Sequence, residues 1–246
     1  MEKRAYSLAR RLTAEGLGTA LLLAAVVGSG IMGERLSGGS AGLALLSNTL
    51  PTAAALVALI LTFGPISGAH FNPAVTLADA SQGGLPWREA PAYVLAQAAG
   101  AFAGVAVAHL MFGEPLFSAS ANERAGLAQG FSEFVATFGL LSVVWGCARH
   151  GRGWAAPFAV GAYILAAAWF TASTSFANPA VTLARAATDT YAGIRPGDVP
   201  LFVAAQLAGG TAATLLFRWL VPPPRGAAAA VLMPHEGMEE DSDGPS

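Results

Sequence analysis

The chain has 246 residues, of which 54% are hydrophobic and 11% are charged, and its formal net charge is −2 at pH 7. Together with a mean hydropathy of +0.53, this composition excludes an ordinary soluble domain and indicates a protein whose main partner is the lipid bilayer. The single cysteine, Cys147, excludes an internal disulfide, and no nucleic-acid partner is expected.

Six apolar runs follow one another along the chain, each with the roughly 17 to 25 residues that a helix needs to cross a membrane. They comprise residues 16–32, 43–63, 90–112, 130–148, 155–170 and 201–221. Because basic residues precede the first run, a cleaved signal peptide is the alternative interpretation. Against it, Glu15 stands at the head of this run and Glu133 at the head of a later run with the same pattern. Two further stretches, 72–80 and 178–187, are too short to cross.

Lysine and arginine residues near the ends of the six runs fall mostly on one side of the membrane. Because cytoplasmic loops carry the excess of these residues, both termini are predicted to be cytoplasmic. The predicted cytoplasmic set is Lys3, Arg4, Arg10, Arg11, Arg88, Arg149, Arg152, Arg218 and Arg225, and the opposite set is Arg35, Arg124 and Arg195.

The chain repeats itself, because Asn72-Pro-Ala-Val-Thr-Leu-Ala78 recurs letter for letter as Asn178-Pro-Ala-Val-Thr-Leu-Ala184. In each half, two long runs precede the copy and one follows it. Three crossings per half place the second half upside down in the membrane, so the two short stretches enter from opposite faces. The predicted organisation is a cytoplasmic segment, a membrane domain with repeats at about 13–112 and 127–221, and a disordered cytoplasmic tail, with bounds 1–12, 13–221 and 222–246.

Each short stretch predicts a helix of about ten residues, roughly 15 Å long, which reaches only halfway through the membrane. Asparagine is a preferred N-cap and proline suits the first helical turn, so Asn72 and Asn178 would begin these half-helices. Two such helices entering from opposite faces would meet at the centre of the membrane. There, their positive ends would repel cations and the asparagine amides would donate hydrogen bonds to a passing oxygen.

The irregular backbone before each half-helix carries unpaired carbonyl groups, which cannot face lipid because each would cost several kcal/mol. Lining a water-filled passage removes this cost and supplies a ladder of acceptors. The sequence therefore predicts a conduit for small neutral solutes that form hydrogen bonds. Its pore-lining backbone is expected at Gly68, Ala69, His70, Thr174, Phe176 and Ala177.

The run Ser67-Gly-Ala-His-Phe-Asn-Pro-Ala-Val-Thr76, with the second Asn178-Pro-Ala, resembles the paired signatures of the aquaporin family, the major intrinsic proteins. The resemblance implies an all-α membrane protein with six transmembrane helices, two membrane-embedded half-helices and an inverted internal repeat. It further implies a homotetramer in a bacterial-type inner membrane, with no cofactor and no metal. It also implies that Glu15 and Glu133 are buried carboxylates that brace the loops before the half-helices; the alternative is that they are ordinary first-turn acids.

In water-selective members of the family, and in most glycerol-conducting ones, arginine follows the second Asn-Pro-Ala and narrows the outer mouth. Here that position is Val181, and the resemblance places its partners at Thr52, Ala166 and Ser175, which together give a small-sided, uncharged selectivity filter. Arg185, one helical turn further out, either replaces the missing arginine or faces the outer vestibule or a loop carbonyl.

A wide, uncharged filter should admit glycerol, urea and neutral hydroxides such as arsenous acid besides water. The run Trp169-Phe-Thr-Ala-Ser-Thr-Ser-Phe-Ala-Asn-Pro-Ala-Val-Thr182 resembles bacterial aquaporins encoded with arsenic-resistance genes, which implies arsenite as a solute. The alternatives are a water- or glycerol-selective channel with no role in arsenic transport, a secondary transporter with ionisable residues inside the membrane, and a closed structural protein. No constellation of catalytic residues indicates an enzyme.

Overall fold

A computed structural model describes residues 6–222 of the chain. The long helices are α1 (Leu8–Leu36), α2 (Ala41–Ser67), α4 (Ala90–Phe112), α5 (Leu127–Arg149), α6 (Ala156–Phe170) and α8 (Val199–Leu220). Two short helices, α3 (Pro73–Ser81) and α7 (Pro179–Arg185), follow α2 and α6, and single 3-10 turns precede α6 and α8 at Gly153–Ala155 and Pro196–Asp198. Six helical segments are long and apolar enough to cross a membrane, and the described residues contain no β-strand. The predicted fold class is therefore confirmed.

Several element boundaries differ from those expected from the sequence. Helix α1 begins at Leu8, inside the predicted cytoplasmic segment, because the Ser7 hydroxyl accepts a hydrogen bond from the backbone amide of Arg10 and so caps the helix. Helix α7 has 7 residues rather than about ten and ends at Arg185. The disorder predicted for the C-terminal tail lies outside the described residues, apart from position 222.

The two halves of the chain pack in the same way. Helix α1 lies against α2 and α4, α5 lies against α6 and α8, and α2 meets α6 across the halves. Glycines allow the closest approaches: a Cβ atom on Gly100 would lie 2.1 Å from the carbonyl oxygen of Gly16, and one on Gly209 would lie 2.3 Å from that of Phe134. Within a bilayer the hydrophobic effect does not drive helices together, because lipid is as apolar as the side chains. Small residues such as these glycines let the helix backbones pack closely, and this packing stabilises their association.

The half-helices α3 and α7 lie in the interior, where each contacts α4, α8 and the other half-helix. Leu85, just after α3, packs with Tyr93 at the start of α4. In contrast, the hydroxyl of Thr188, just after α7, is 2.7 Å from Nε2 of His109 at the end of α4. Because α4 is long enough to cross a membrane, the two half-helices end at opposite faces of the protein.

Candidate functional site

A reciprocal pair of hydrogen bonds joins the N-terminal ends of the two half-helices. Nδ2 of Asn72 donates to the carbonyl oxygen of Ala177 at 2.8 Å, and Nδ2 of Asn178 donates to that of Phe71 at 2.7 Å. Each asparagine also caps its own helix, because its Oδ1 accepts from the backbone amide two residues further on, at 2.9 and 3.0 Å. A side-chain amide has two N–H groups, so each asparagine retains one that the opposite loop does not use.

The backbone leading into each half-helix adopts a left-handed conformation at residues other than glycine. Positive φ angles from 47° to 62° occur at Ala69, Phe71, Thr174, Ser175 and Ala177. A residue in this region costs about 1 to 3 kcal/mol and persists only where its surroundings fix it. Two fully buried carboxylates contribute to that fixing, one in each half of the chain.

Glu15, on α1, holds the loop before α3. Its carboxylate accepts hydrogen bonds from the backbone amides of His70 at 2.9 Å and Phe71 at 2.8 Å. It also accepts from the hydroxyl of Ser67 at 2.6 Å and from Nε2 of Gln97 at 2.8 Å. The side chain is completely buried, and four donors replace the water that an ionised carboxylate would otherwise bind.

Glu133, on α5, does the same for the loop before α7. It accepts from the backbone amides of Phe176 at 2.9 Å and Ala177 at 2.8 Å. Nε2 of Gln206 donates to the carboxylate at 2.6 Å and also to the hydroxyl of Thr182 at 2.8 Å. Gln97 bridges Glu15 and α3 in the equivalent way. Both glutamines therefore tie a carboxylate to a half-helix, a role that the sequence alone does not reveal.

An internal cavity of about 90 Å³ runs beside the junction of the half-helices and is lined by residues from both halves of the chain. Most of the residues singled out from the sequence meet in its wall, namely Thr52, Ala69, His70, Asn72, Thr174, Ser175, Phe176, Ala177, Asn178, Val181 and Arg185. The cavity thus combines amide donors, hydroxyl groups and loop backbone with apolar surface, an arrangement typical of a path for small polar solutes.

Two of the expected wall residues lie elsewhere. Gly68 has a left-handed φ of 88° and closes α2, and its amide donates to the carbonyl of Gly64 rather than serving the cavity wall. Ala166 is exposed on the outside of α6. Its place is taken by Ala168, which lies two residues, or about 200°, further round the helix. Which residue of α6 faces the cavity depends on the number of residues between α6 and α7. The sequence does not show where α6 ends, so it does not determine that number.

Several wall residues belong to no motif and were not expected. On α6, Val160 and Ile164 join Ala168, and on α2, Asn48 and Leu56 flank Thr52. The members of each set are four residues apart, which is the spacing of residues on one face of a helix. That spacing is visible in the sequence, and on α2 the polar residues Asn48 and Thr52 mark the inward face. Helix α6 is apolar on every side, so no contrast marks which of its faces is turned inward.

Arg185 lies in the cavity wall although it is only 6% exposed. Its guanidinium carbon is 3.3 Å from the centre of the Phe176 ring, a cation–π contact, and its Nε donates to the carbonyl oxygen of Ala192. One of the sequence alternatives placed this side chain against a loop carbonyl, and the contact with Ala192 is of that kind. The guanidinium nevertheless borders the passage, on the same helix face as Val181.

A second arginine approaches Phe176 from the loop between α4 and α5. The guanidinium carbon of Arg124 is 5.0 Å from the ring centre, and its Nε donates to the carbonyl oxygen of Gly193 at 2.9 Å. Burial lowers the pKa of the Arg124 guanidinium, but arginine remains charged in proteins. Two positive charges therefore lie around one aromatic ring, and of these two arginines Arg185 is the one that lines the cavity. Within residues 6–222, no cluster of three or more His, Cys, Asp or Glu side chains could hold a metal ion.

Comparison with known proteins shows which family and which relatives this chain is similar to. The profile of the family described as Major intrinsic protein matches residues 2–176. The chain is 56% identical over 220 residues to aquaglyceroporin AqpS of Rhizobium meliloti (strain 1021), covering 89% of this chain and 94% of that protein. It is also 37% identical over 181 residues to aquaporin NIP1-3 of Oryza sativa subsp. japonica, covering 71% of this chain and 62% of that protein.

Among solved structures, the fold resembles the X-ray structure of the aquaglyceroporin from Plasmodium falciparum. The TM-score is 0.67, and the match covers 86% of this chain and 96% of the other. Sequence identity in this comparison is 22%, so the likeness establishes the fold alone.

Proposed function

The chain belongs to the major intrinsic protein family, and from this premise we propose that it is an aquaglyceroporin-type channel for water, glycerol and other small uncharged solutes. It is a multi-pass membrane protein and not an enzyme. The observation that carries the proposal is the cross-bonded pair Asn72 and Asn178, whose amides stand beside an internal cavity. A relative that is 56% identical over most of both chains is named an aquaglyceroporin.

In this proposal, solutes pass along the cavity by exchanging hydrogen bonds with its wall. The spare N–H groups of Asn72 and Asn178 donate to a solute oxygen at the junction of the half-helices. Each half-helix presents about half of a positive elementary charge at its N-terminus, so an entering cation is repelled where it must also shed its water. The left-handed loops, at Ala69 to Phe71 and Thr174 to Ala177, supply the acceptor backbone.

We further propose that the selectivity filter consists of Thr52, Ser175 and Val181 together with Ala168, which replaces the predicted Ala166. These side chains are small and uncharged, and all four belong to the cavity wall. A filter without arginine directly after the second Asn-Pro-Ala is wide enough for glycerol and for neutral metalloid hydroxides such as arsenite. Glu15 and Glu133 act as the structural carboxylates that keep this passage open.

The proposed setting is a homotetramer in a bacterial-type inner membrane, with one passage in each subunit and both termini in the cytoplasm. The arginine distribution supports this orientation. The exposed apolar side chains on the outer faces of the helices, among them Leu110, Phe131 and Trp169, suit contact with lipid or a neighbouring subunit. The membrane domain corresponds to residues 13–221, with repeats at about 13–112 and 127–221.

A solute panel in proteoliposomes tests the proposal, with water, glycerol and arsenite uptake measured against protein-free vesicles. Val181→Arg should slow glycerol and arsenite more than water, because a guanidinium would narrow and charge the filter. Val181→Ala is the matched control, since it leaves the filter small and uncharged, and it should not slow glycerol. If Val181→Arg conducts all three solutes like the parent protein, the filter is misplaced; if the parent protein conducts none, the channel proposal fails.

A further inference from the structure

The geometry points to Arg185 as the residue that gives the outer end of the passage its charge selectivity, by holding a fixed cation flat against the wall beside a wide, uncharged filter. The outer end is defined here as the end at which α7 terminates. This inference rests on the proposed channel function and adds to it the class of solute that is excluded. In it, the width of the passage and its positive charge come from different residues.

The position of Arg185 on α7 places its charge next to the filter. It lies four residues after Val181, and residues four apart share one face of a helix. Both side chains line the cavity. An entering solute at this end therefore meets the guanidinium and the filter on one wall, one helical turn apart.

Two contacts fix the guanidinium in place. Its carbon lies 3.3 Å from the centre of the Phe176 ring, and its Nε is bonded to the carbonyl of Ala192. Phe176 is itself held, because its backbone amide donates to Glu133 at 2.9 Å and its ring packs edge-on against Phe202 with centroids 5.2 Å apart. Arg185 also stands in the last turn of α7, where the helix dipole favours a cation.

The charge of Arg185 is not neutralised locally. No carboxylate within residues 6–222 lies within salt-bridge distance of it, and in the same part of the chain only its Nε has a hydrogen-bond acceptor. The hydroxyl of Ser175, another wall residue, also has no partner there. A buried cation with no counter-ion is costly. Hydrogen bonds from the terminal N–H groups of Arg185 to water or solute oxygens in the passage would offset this cost. The charge of the same guanidinium repels cations.

The nearby guanidinium of Arg124 adds to this field without lining the same cavity. Its Nε donates a hydrogen bond to the carbonyl oxygen of Gly193 at 2.9 Å, and its Nη1 donates to that of Ser173 at 3.3 Å. Through these hydrogen bonds, Arg124 connects the loop between α4 and α5 with the loops before and after α7. Arg185 is thus the positive group that entering solutes approach most closely.

The test compares cation leak with glycerol uptake in the same proteoliposomes. Potassium efflux and proton leak are followed with ion-sensitive dyes, and glycerol uptake by light scattering. Two neutral variants, Arg185→Met and Arg185→Gln, should raise the cation leak by about tenfold or more while still taking up glycerol, a combination that a misfolded protein would not show. Arg185→Lys keeps the charge and should stay near the parent value, and Phe176→Leu, which frees the guanidinium, should fall between.

Arg35→Met is the matched control, because it removes an exposed arginine that pairs with Glu114 away from the cavity. It should leave both leak and glycerol uptake at the parent level. The inference is overturned if both neutral variants remain as tight to cations as the parent protein, or if Arg185→Lys leaks as much as they do. Failure of the parent protein itself to conduct glycerol or water would instead contradict the channel function.

Discussion

Nε2 of His70 lies 3.4 Å from Oδ2 of Asp79, and both side chains are only 2% exposed. His70 stands two residues before Asn72 and Asp79 seven residues after it, the same offsets at which Phe176 and Arg185 flank Asn178. The two halves of the chain therefore make equivalent contacts between the loop before a half-helix and the end of that half-helix. The charged residue in this contact is an acid at the end of α3 and an arginine at the end of α7. The passage lies between half-helices that end in opposite charges.

Asp79 occupies an unfavourable position for an anion. It lies in the last turn of α3, where the helix dipole disfavours negative charge. Its Oδ1 has no hydrogen-bond partner among the described residues. Nδ1 of His70 lies 3.2 Å from the hydroxyl of Thr76, which orients the imidazole towards the carboxylate. His70 therefore offsets most of the cost of burying the Asp79 carboxylate. It also lines the cavity.

Removing His70 should destabilise the protein through Asp79. His70→Leu leaves the acid buried without its partner, and we expect a loss of about 3 to 5 kcal/mol, typical of breaking a buried pair. The double variant His70→Leu/Asp79→Asn, which removes the stranded charge, should recover most of this loss. Thermal unfolding in detergent measures both. Equal unfolding temperatures for the single and double variants would show that Asp79 does not depend on His70.

The orientation of α6 gives a second prediction. Ala168 faces the cavity, whereas Ala166 is exposed on the opposite side of the helix. Ala168→Phe should therefore fill the passage and reduce glycerol uptake by about tenfold or more. Ala166→Phe adds the same bulk outside the passage and should leave uptake nearly unchanged. Vesicle light scattering compares the two, and the reverse order of effects would mean that the helix is rotated from the described position.

The contrast between these two alanines shows what the sequence can and cannot predict. The capping preference of Asn-Pro-Ala predicts where the half-helices begin, because that information is local. The inverted repeat of the chain predicts that they meet. The inward face of α6 is not predicted, since this helix is apolar on all sides and lacks the polar stripe that marks a surface helix. The Phe176–Arg185 contact is also hidden, because a cation–π pair nine residues apart leaves no recognised motif.

Glu15 should be far more sensitive to substitution than a surface acid. Glu15→Gln replaces an acceptor oxygen by an NH2 group facing the amides of His70 and Phe71 and the donor of Gln97. Leaving even one of these buried donors unpaired should cost about 2 kcal/mol or more. Glu114→Gln, at a partly exposed ion pair, should change stability by less than about 1 kcal/mol. Similar unfolding temperatures for the two variants would contradict a bracing role for Glu15.

The packing of α1 on α4 depends on glycine at position 100. A Cβ atom there would lie 2.1 Å from the backbone oxygen of Gly16, and one on Gly104, a turn further along, would lie 2.2 Å from that of Ala20. Backbone cannot move aside as a flexible side chain can, so Gly100→Ala must push the two helices apart. We expect a loss of about 1 to 3 kcal/mol, as for other overpacked interiors.

Gly42→Ala is the control for this substitution, because a Cβ atom on Gly42 would meet nothing within 4 Å. Gly42 lies in the first turn of α2, where alanine is the better helix former by up to about 1 kcal/mol, so this variant should be as stable as the parent or slightly more so. Thermal unfolding of both proteins in the same detergent separates steric exclusion from helix propensity. Were Gly100→Ala as stable as Gly42→Ala, the close contact of α1 with α4 would not be a requirement of the fold.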